Sequence, residues 1–383
     1  MKAPEYYQGR EQTYLKHFFL ERYLERVAYI IGYSSDEFTY VDGFSGPWKS
    51  EDEQFEDTSF MIALQKLQNV KENLAKAGKY LQIRCLFNEK DPNAYRELEQ
   101  ATRIYSRKEV EILKGEFEVL IPDILKFIGS SFSLVFIDPT GWTGFGLKQI
   151  APILKHFRGE VIVNFMFDYI NRFLEHPTLA IAQQMNELFG GPGWEAVIQS
   201  SSRREEAIVG LYRERMRAIG SFKFVTSTRI MKPTMDRSYF YLVYGTRHLK
   251  GLCEFSDVEK KFAFEQEHVR STAIQRARIE RSGQNELFPV SDDIDDALDF
   301  NDERAAQLAS ATERMTQLIR ESKRIRYDDL LARILETPLV WQSDVNGELQ
   351  RLCKTGEITI EGLRPRERVP KIGQGHMIVL KLK

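Results

Sequence analysis

Apolar positions along the chain fall first at helical spacing and then at strand spacing. Leu15, Phe18, Phe19, Tyr23, Val27 and Ile30 recur every three or four residues, which predicts an amphipathic helix over the first 32 residues. Short β-branched and aromatic runs follow at Phe38–Val41, Ile83–Phe87, Val110–Leu113, Leu134–Ile137 and Val161–Phe165. Between them, 58–77 and 92–104 keep a helical period, so strands alternate with helices. That alternation predicts a parallel sheet covered by helices on both faces.

The end of this array breaks the pattern. Phe222–Thr226 and Tyr239–Tyr244 read as strands separated only by Met231–Arg237, with Pro233 and Asp236 inside. A link this short permits a hairpin and excludes a parallel crossover. Five strand–helix units closed by a hairpin match the strand list of a class I S-adenosylmethionine methyltransferase, an α/β Rossmann-like sheet. Residues 166–221 exceed one crossover and predict a helical insertion, including 203–218, roofing the site.

In such sheets ligands sit beyond the carboxyl ends of the strands, so the residues after each strand carry the candidate chemistry. After the first comes Asp42-Gly43-Phe44-Ser45-Gly46-Pro47. Its glycines allow close backbone approach to a ligand, and Asp42 is placed to meet the amino-acid end of the methyl donor. A tight turn alone also accounts for this motif. After the second strand comes Asn88-Glu89-Lys90-Asp91-Pro92, where Glu89 is expected on ribose hydroxyls and Asp91-Pro92 reads as a helix cap. Glu116, with Phe117, follows the third strand and is expected near adenine. Asp138-Pro139 ends the fourth and supplies acceptors able to orient an exocyclic amine, with Asn164 closing the fifth strand beside it. Lys16 and His17, on the opening helix, read as surface residues.

Charge divides the rest of the chain. The total is only -2 over 383 residues, so nucleic acid would have to be drawn by local patches. Residues 284–303 hold eight acids and no Lys or Arg, and read as a solvated linker. Residues 304–383 hold fifteen Lys and Arg against ten Asp and Glu. Their pattern runs helix 304–324, helix 327–336, helix 343–354, strand 357–361, loop 364–371 and strand 377–382, which resembles a winged helix-turn-helix. Arg364, Arg366, Arg368 and Lys371 on the wing suit phosphates, and protein docking is the alternative use. The expected organisation is therefore a methyltransferase-like domain over 1–265, a helix and acidic linker over 266–303, and a winged-helix domain over 304–383. Cys85, Cys253 and Cys353 are dispersed, which argues against a disulfide framework and suits a reducing cytoplasm. The six histidines form no HxxxH or HExxH pair, and no metal site is expected. The N-terminus is polar and no long apolar run occurs, so neither a signal peptide nor a membrane span is expected.

The motifs Tyr40–Pro47, Phe87–Asp91, Val135–Gly141 and Val163–Met166 resemble the three-Cys-motif partner (TcmP) family over residues 10–265. The resemblance implies a class I methyltransferase fold, S-adenosylmethionine as cofactor, and a separate partner bearing a cysteine motif and similar to radical S-adenosylmethionine enzymes. Two positions depart from the family pattern. Trp48 stands where a glycine is common and is expected to narrow the donor pocket, and Thr140 stands in the Asp-Pro-Thr-Gly motif where the family usually has an aromatic. A catalytically silent binding subunit is the competing expectation. A nicotinamide oxidoreductase is disfavoured by the hairpin and the missing GxGxxG.

Overall fold

The structure is a computed structural model. It describes all residues except 48, 49, 51, 53, 140, 142, 143, 175–177, 283–297, 382 and 383. The expectations placed on Trp48, on Thr140 and on most of the acidic linker therefore lie outside the described residues. The chain divides into two compact units, Met1–Arg247 and His248–Lys383.

The first unit opens with a short 3-10 turn at Pro4–Tyr7 and helix α1 (Glu11–Ser34). Strands and helices then alternate: β1 (Glu37–Asp42), α2 (Ser59–Lys76), β2 (Gln82–Glu89), α3 (Pro92–Thr102), β3 (Val110–Lys114), α4 (Phe117–Ile128), β4 (Phe132–Ile137), α5 (Leu147–Leu154) and β5 (Gly159–Phe165). Four helices follow, α6 (Phe167–Phe173), α7 (Leu179–Leu188), α8 (Trp194–Gln199) and α9 (Arg204–Gly220), before the hairpin β6 (Phe224–Met231) and β7 (Ser238–Thr246). The sheet order is β3-β2-β1-β4-β5-β7-β6. The first five strands are parallel, and β7 runs antiparallel to both neighbours.

Burial explains the sequence pattern. β4 is buried along its whole length and β1 everywhere but its first residue, as expected of central strands covered on both faces. The strand order reverses between β1 and β4, so the loops after these strands flank the natural ligand crevice. Local caps set the helix starts. The Thr58 side chain accepts from the Met61 N–H to open α2, and Asp91 accepts from Asn93 and Ala94 ahead of Pro92 in α3. α1 is held to the sheet by a buried network. Tyr23 Oη donates to Glu160 at 2.6 Å and lies 2.6 Å from Tyr244 Oη, while Thr246 Oγ1 donates to Glu160 at 2.8 Å.

The second unit contains α10 (Leu249–Ser282), α11 (Leu298–Ser322), β8 (Arg324–Arg326), α12 (Tyr327–Ile334), α13 (Gln342–Lys354), β9 (Ile358–Glu361) and β10 (Met377–Leu380). The three strands form an antiparallel sheet ordered β8-β10-β9. Ala263, Phe300 and Trp341 pack in its core with Leu339 against them. Two boundaries move from their sequence-based positions. The break falls at Arg247/His248 instead of 265, because one continuous helix runs from Leu249 through that point. Helix α11 begins at Leu298, so the end of the acidic stretch is helical backbone and not linker. Among the described residues no helix is long and apolar enough to cross a membrane.

Candidate active site

The loop after β1 is shaped from inside. Asp42 is fully buried; its Oδ1 accepts from the Phe44 N–H at 3.1 Å and its Oδ2 from Ser59 Oγ at 2.6 Å. Burial pushes this carboxyl up to about 6, against the lowering pull of those two hydrogen bonds, and the charge of Asp138 adds to the rise. Ser45 Oγ donates to the Asp42 carbonyl at 2.9 Å, and the Ser45 N–H donates to the Asn88 carbonyl. Asp42 and Ser45 thus build the turn, and Phe44 and Gly46 are its partly exposed residues. Gly43 permits a close approach: a Cβ there would lie 2.6 Å from the Phe117 ring. Asn88 joins the first and third loops by donating to the carbonyls of Gly43 and Gly115.

Glu89 is buried at the end of β2, and its Oε1 accepts from the Asp91 N–H at 2.7 Å. Among the described residues no donor reaches its other oxygen. Glu116 is exposed ahead of α4. It lines a cavity of about 180 Å³ together with Phe44, Phe117, Glu118, Gln149 and Glu187. Phe44 and Phe117 meet with ring centroids 5.3 Å apart. The structure therefore brings Phe44, Glu116 and Phe117 to one cavity and keeps Asp42 and Ser45 behind it.

The loop after β4 holds a second constellation. Lys16 Nζ lies 2.8 and 2.6 Å from the two Asp138 oxygens, and Asn164 Nδ2 donates to Asp138 Oδ1 at 2.6 Å. Lys16 and Asp138 are both mostly buried, 13% and 14% exposed at the side chain. The sequence reading of Lys16 and His17 as surface residues is corrected here. Lys16 reaches the end of β4, and His17 is buried against Tyr7 of the N-terminal 3-10 turn. His17 is 5% exposed, lies 3.3 Å from Tyr7 Oη, and is pushed down to about 3 by burial, with Lys16 adding to the effect. Asn164 Oδ1 and Asn88 Oδ1 are buried without a hydrogen-bond partner. Pro139 is buried behind Asp138.

A third group lies where β5 and the hairpin meet, and nothing in the sequence pattern singled it out. Asp168, 4% exposed at the start of α6, is ringed by Lys232 at 3.1 Å, Arg172 at 3.2 Å and Arg237 at 3.5 Å. In the second unit, Arg364, Arg366 and Arg368 are exposed on the β9–β10 loop, and Lys371 pairs with Glu367 at 2.8 Å. Arg366 adopts a left-handed backbone with φ 77°. Among the described residues no cluster of three or more His, Cys, Asp or Glu could hold a metal ion.

Comparisons with known proteins add little. No family model matches the chain. No curated protein matches it. Among solved structures it is similar to protein LPL1258 from Legionella pneumophila str. Philadelphia 1, described as DUF519. The identity is 12%, over 60% of this chain and 85% of that one, with a TM-score of 0.33. A likeness this distant carries no argument about fold or activity.

Proposed function

We propose that the chain is an S-adenosylmethionine-dependent methyltransferase acting on an exocyclic amine of a nucleic acid or nucleotide-like substrate. The observation that carries this reading is the sheet order β3-β2-β1-β4-β5-β7-β6 with β7 antiparallel, together with acid-bearing loops at its crevice. That order is the one expected of class I methyltransferases. The residues fit the donor: the Gly43–Gly46 backbone for its amino-acid end, the open oxygen of Glu89 for ribose, and the Phe44–Phe117–Glu116 cavity for adenine. The donor, when bound, supplies an activated methyl group.

The chain's own residues position the acceptor. Asp138 has about four lone-pair sites, and Lys16 and Asn164 engage three of them. The fourth, with the unpartnered Asn164 Oδ1, can accept N–H groups of a substrate amine and aim its lone pair. Lys16 keeps Asp138 compensated in this largely buried place. In the second unit, helices α11 to α13, a small antiparallel sheet and an arginine-bearing loop support a winged helix that holds substrate. The motif resemblance adds a cysteine-motif partner protein to the proposal.

One observation favours a second reading. Lys16 already occupies the carboxylate to which a substrate amine would bind, which suits a silent binding subunit. The first test is calorimetric binding of S-adenosylmethionine and S-adenosylhomocysteine to wild type and Gly46→Arg. Micromolar binding that the variant loses supports the donor site; no binding by folded wild type removes it. Transfer of labelled methyl to RNA or DNA, lost in Asp138→Ala while donor binding persists, separates the enzyme from the silent subunit.

A further inference from the structure

The chain brings an amine of its own to the carboxylate that would hold a substrate amine. Lys16 Nζ lies 2.8 and 2.6 Å from the two oxygens of Asp138. A lysine ammonium carries three N–H groups. With one on each oxygen, the third points away from the carboxylate. The donor loop adjoins this pair. The Gly43 N–H donates at 2.9 Å to the carbonyl of Phe136, two residues before Asp138, and Asp42 stands in register with Phe136. Lys16 is only 13% exposed at its side chain, so the active site of another enzyme has no access to its amine.

An aromatic wall completes the place. Lys16 Nζ lies 5.4 Å from the centroid of the Phe240 ring. A slip in the β6–β7 register holds that ring. Ile230 pairs with Phe240, but Met231 pairs with Ser238, so Tyr239 has no partner across the ladder. A bulge of this kind re-aims one side chain, and the Tyr239 ring stacks on Phe240 with centroids 3.9 Å apart. Lys232 covers Tyr239 while it pairs with Asp168. An aromatic ring attracts an ammonium, and methylated ammonium ions are held in the same way. The carboxylate, the wall and the neighbouring donor loop are the surroundings that a methyl-accepting amine needs.

We propose that Lys16 is itself a methyl acceptor of this site, and that the chain methylates its own amine with S-adenosylmethionine as co-reactant. The inference rests on the methyltransferase reading and adds a modification site to it. Lys16 releases its outward proton to water and gains a lone pair there. Asp138 keeps the other two N–H groups and so fixes where the lone pair points. The nitrogen forms a bond to the donor's methyl carbon as the carbon–sulfur bond breaks, and the electron pair of that bond stays on sulfur. S-adenosylhomocysteine and a secondary ammonium result, with one proton gone to solvent. The two N–H groups remain on Asp138, and the new methyl takes the third position. An arginine cannot replace Lys16 in this step, because its guanidinium does not give up a proton.

The test incubates the full-length protein with S-adenosylmethionine carrying a trideuterated methyl group and reads the product by mass spectrometry. Cleavage after Glu11 and Glu21 releases residues 12–21, in which Lys16 is the only lysine. One trideuteromethyl group on Lys16 is expected, at a rate independent of protein concentration. It is expected to vanish in Lys16→Arg and in Asp138→Asn. A second readout needs no transfer. Calorimetry compares the two donor forms on Lys16→Arg, which keeps the charge, and on Lys16→Met, which loses it. Only S-adenosylmethionine carries a sulfonium, so its affinity relative to S-adenosylhomocysteine is expected to be about tenfold higher in Lys16→Met. Thermal unfolding confirms that each variant is folded. A wild type that binds S-adenosylhomocysteine but leaves Lys16 unlabelled overturns the proposal. So does equal labelling in Asp138→Asn, a rate that scales with protein concentration, or the same affinity ratio in both Lys16 variants. Absence of S-adenosylhomocysteine binding by folded wild type removes the methyltransferase reading itself, so the two failures are told apart.

Discussion

At the scale of single residues, Asp42 shows how a loop acid can shape a site from behind it. Its position after β1 was legible, because an apolar strand ending in Asp-Gly must turn there. Its orientation was not, because whether such a carboxylate faces ligand or protein depends on where Ser59 and the Phe44 N–H are placed by the fold. The consequence is a pH effect of definite sign. The folded carboxyl titrates near 6 and the unfolded one near 3.8, so the folded state holds the proton more tightly. This contribution to stability is fully present below the unfolded value and is lost as pH rises through about 6. Wild type should therefore lose about 2 kcal/mol relative to Asp42→Asn between pH 4 and pH 7. Denaturant unfolding of both proteins at the two pH values checks this, and parallel stabilities would count against it. Lys16 is the complementary case. A lone lysine on an amphipathic helix reads as solvent-facing, and only the approach of α1 to the end of β4 makes it the partner of Asp138.

At the scale of elements, α1 is an integral part of the site, tied down by Tyr23, Glu160, Tyr244 and Thr246. Burial raises both tyrosines well above their ordinary range, and neighbouring Glu160 adds to the rise, so they remain hydroxyl donors. Tyr23→Phe keeps the ring but removes one of the hydrogen bonds to a buried carboxylate. The expected cost is about 1–3 kcal/mol, seen as a lower unfolding midpoint. An unchanged midpoint would show that Glu160 is satisfied without Tyr23. The positions of β1 to β5 were readable because buried parallel strands are largely apolar runs, but their order in the sheet came from the structure. β6 was half missed: Ser227, Thr228 and Arg229 lack the apolar run of a buried strand, yet the ladder with β7 carries them on to Met231. The three-residue β8 was missed as well, since it exists only as a partner of β10.

At the scale of the whole molecule, a net charge of -2 gives no global attraction for polyanions, so any nucleic-acid binding is local. Replacing Arg364, Arg366 and Arg368 together by serine should weaken oligonucleotide binding and reduce its salt slope by about 2, at 0.7 per lost contact on a single strand. Anisotropy titrations at several salt concentrations measure it, and an unchanged slope would assign this loop to protein docking. By itself the sequence determined the α/β alternation, the closing hairpin and the positions of the acid-bearing turns. Those follow from local period, turn chemistry and the short link between the last two strands, all properties of neighbours in the chain. Only the tertiary structure decided that Lys16 meets Asp138, that Asn88 joins two loops, and that a bulge stacks Tyr239 on Phe240 beside Asp168. Each joins residues far apart in sequence or rests on a one-residue slip in pairing, and no local periodicity records either.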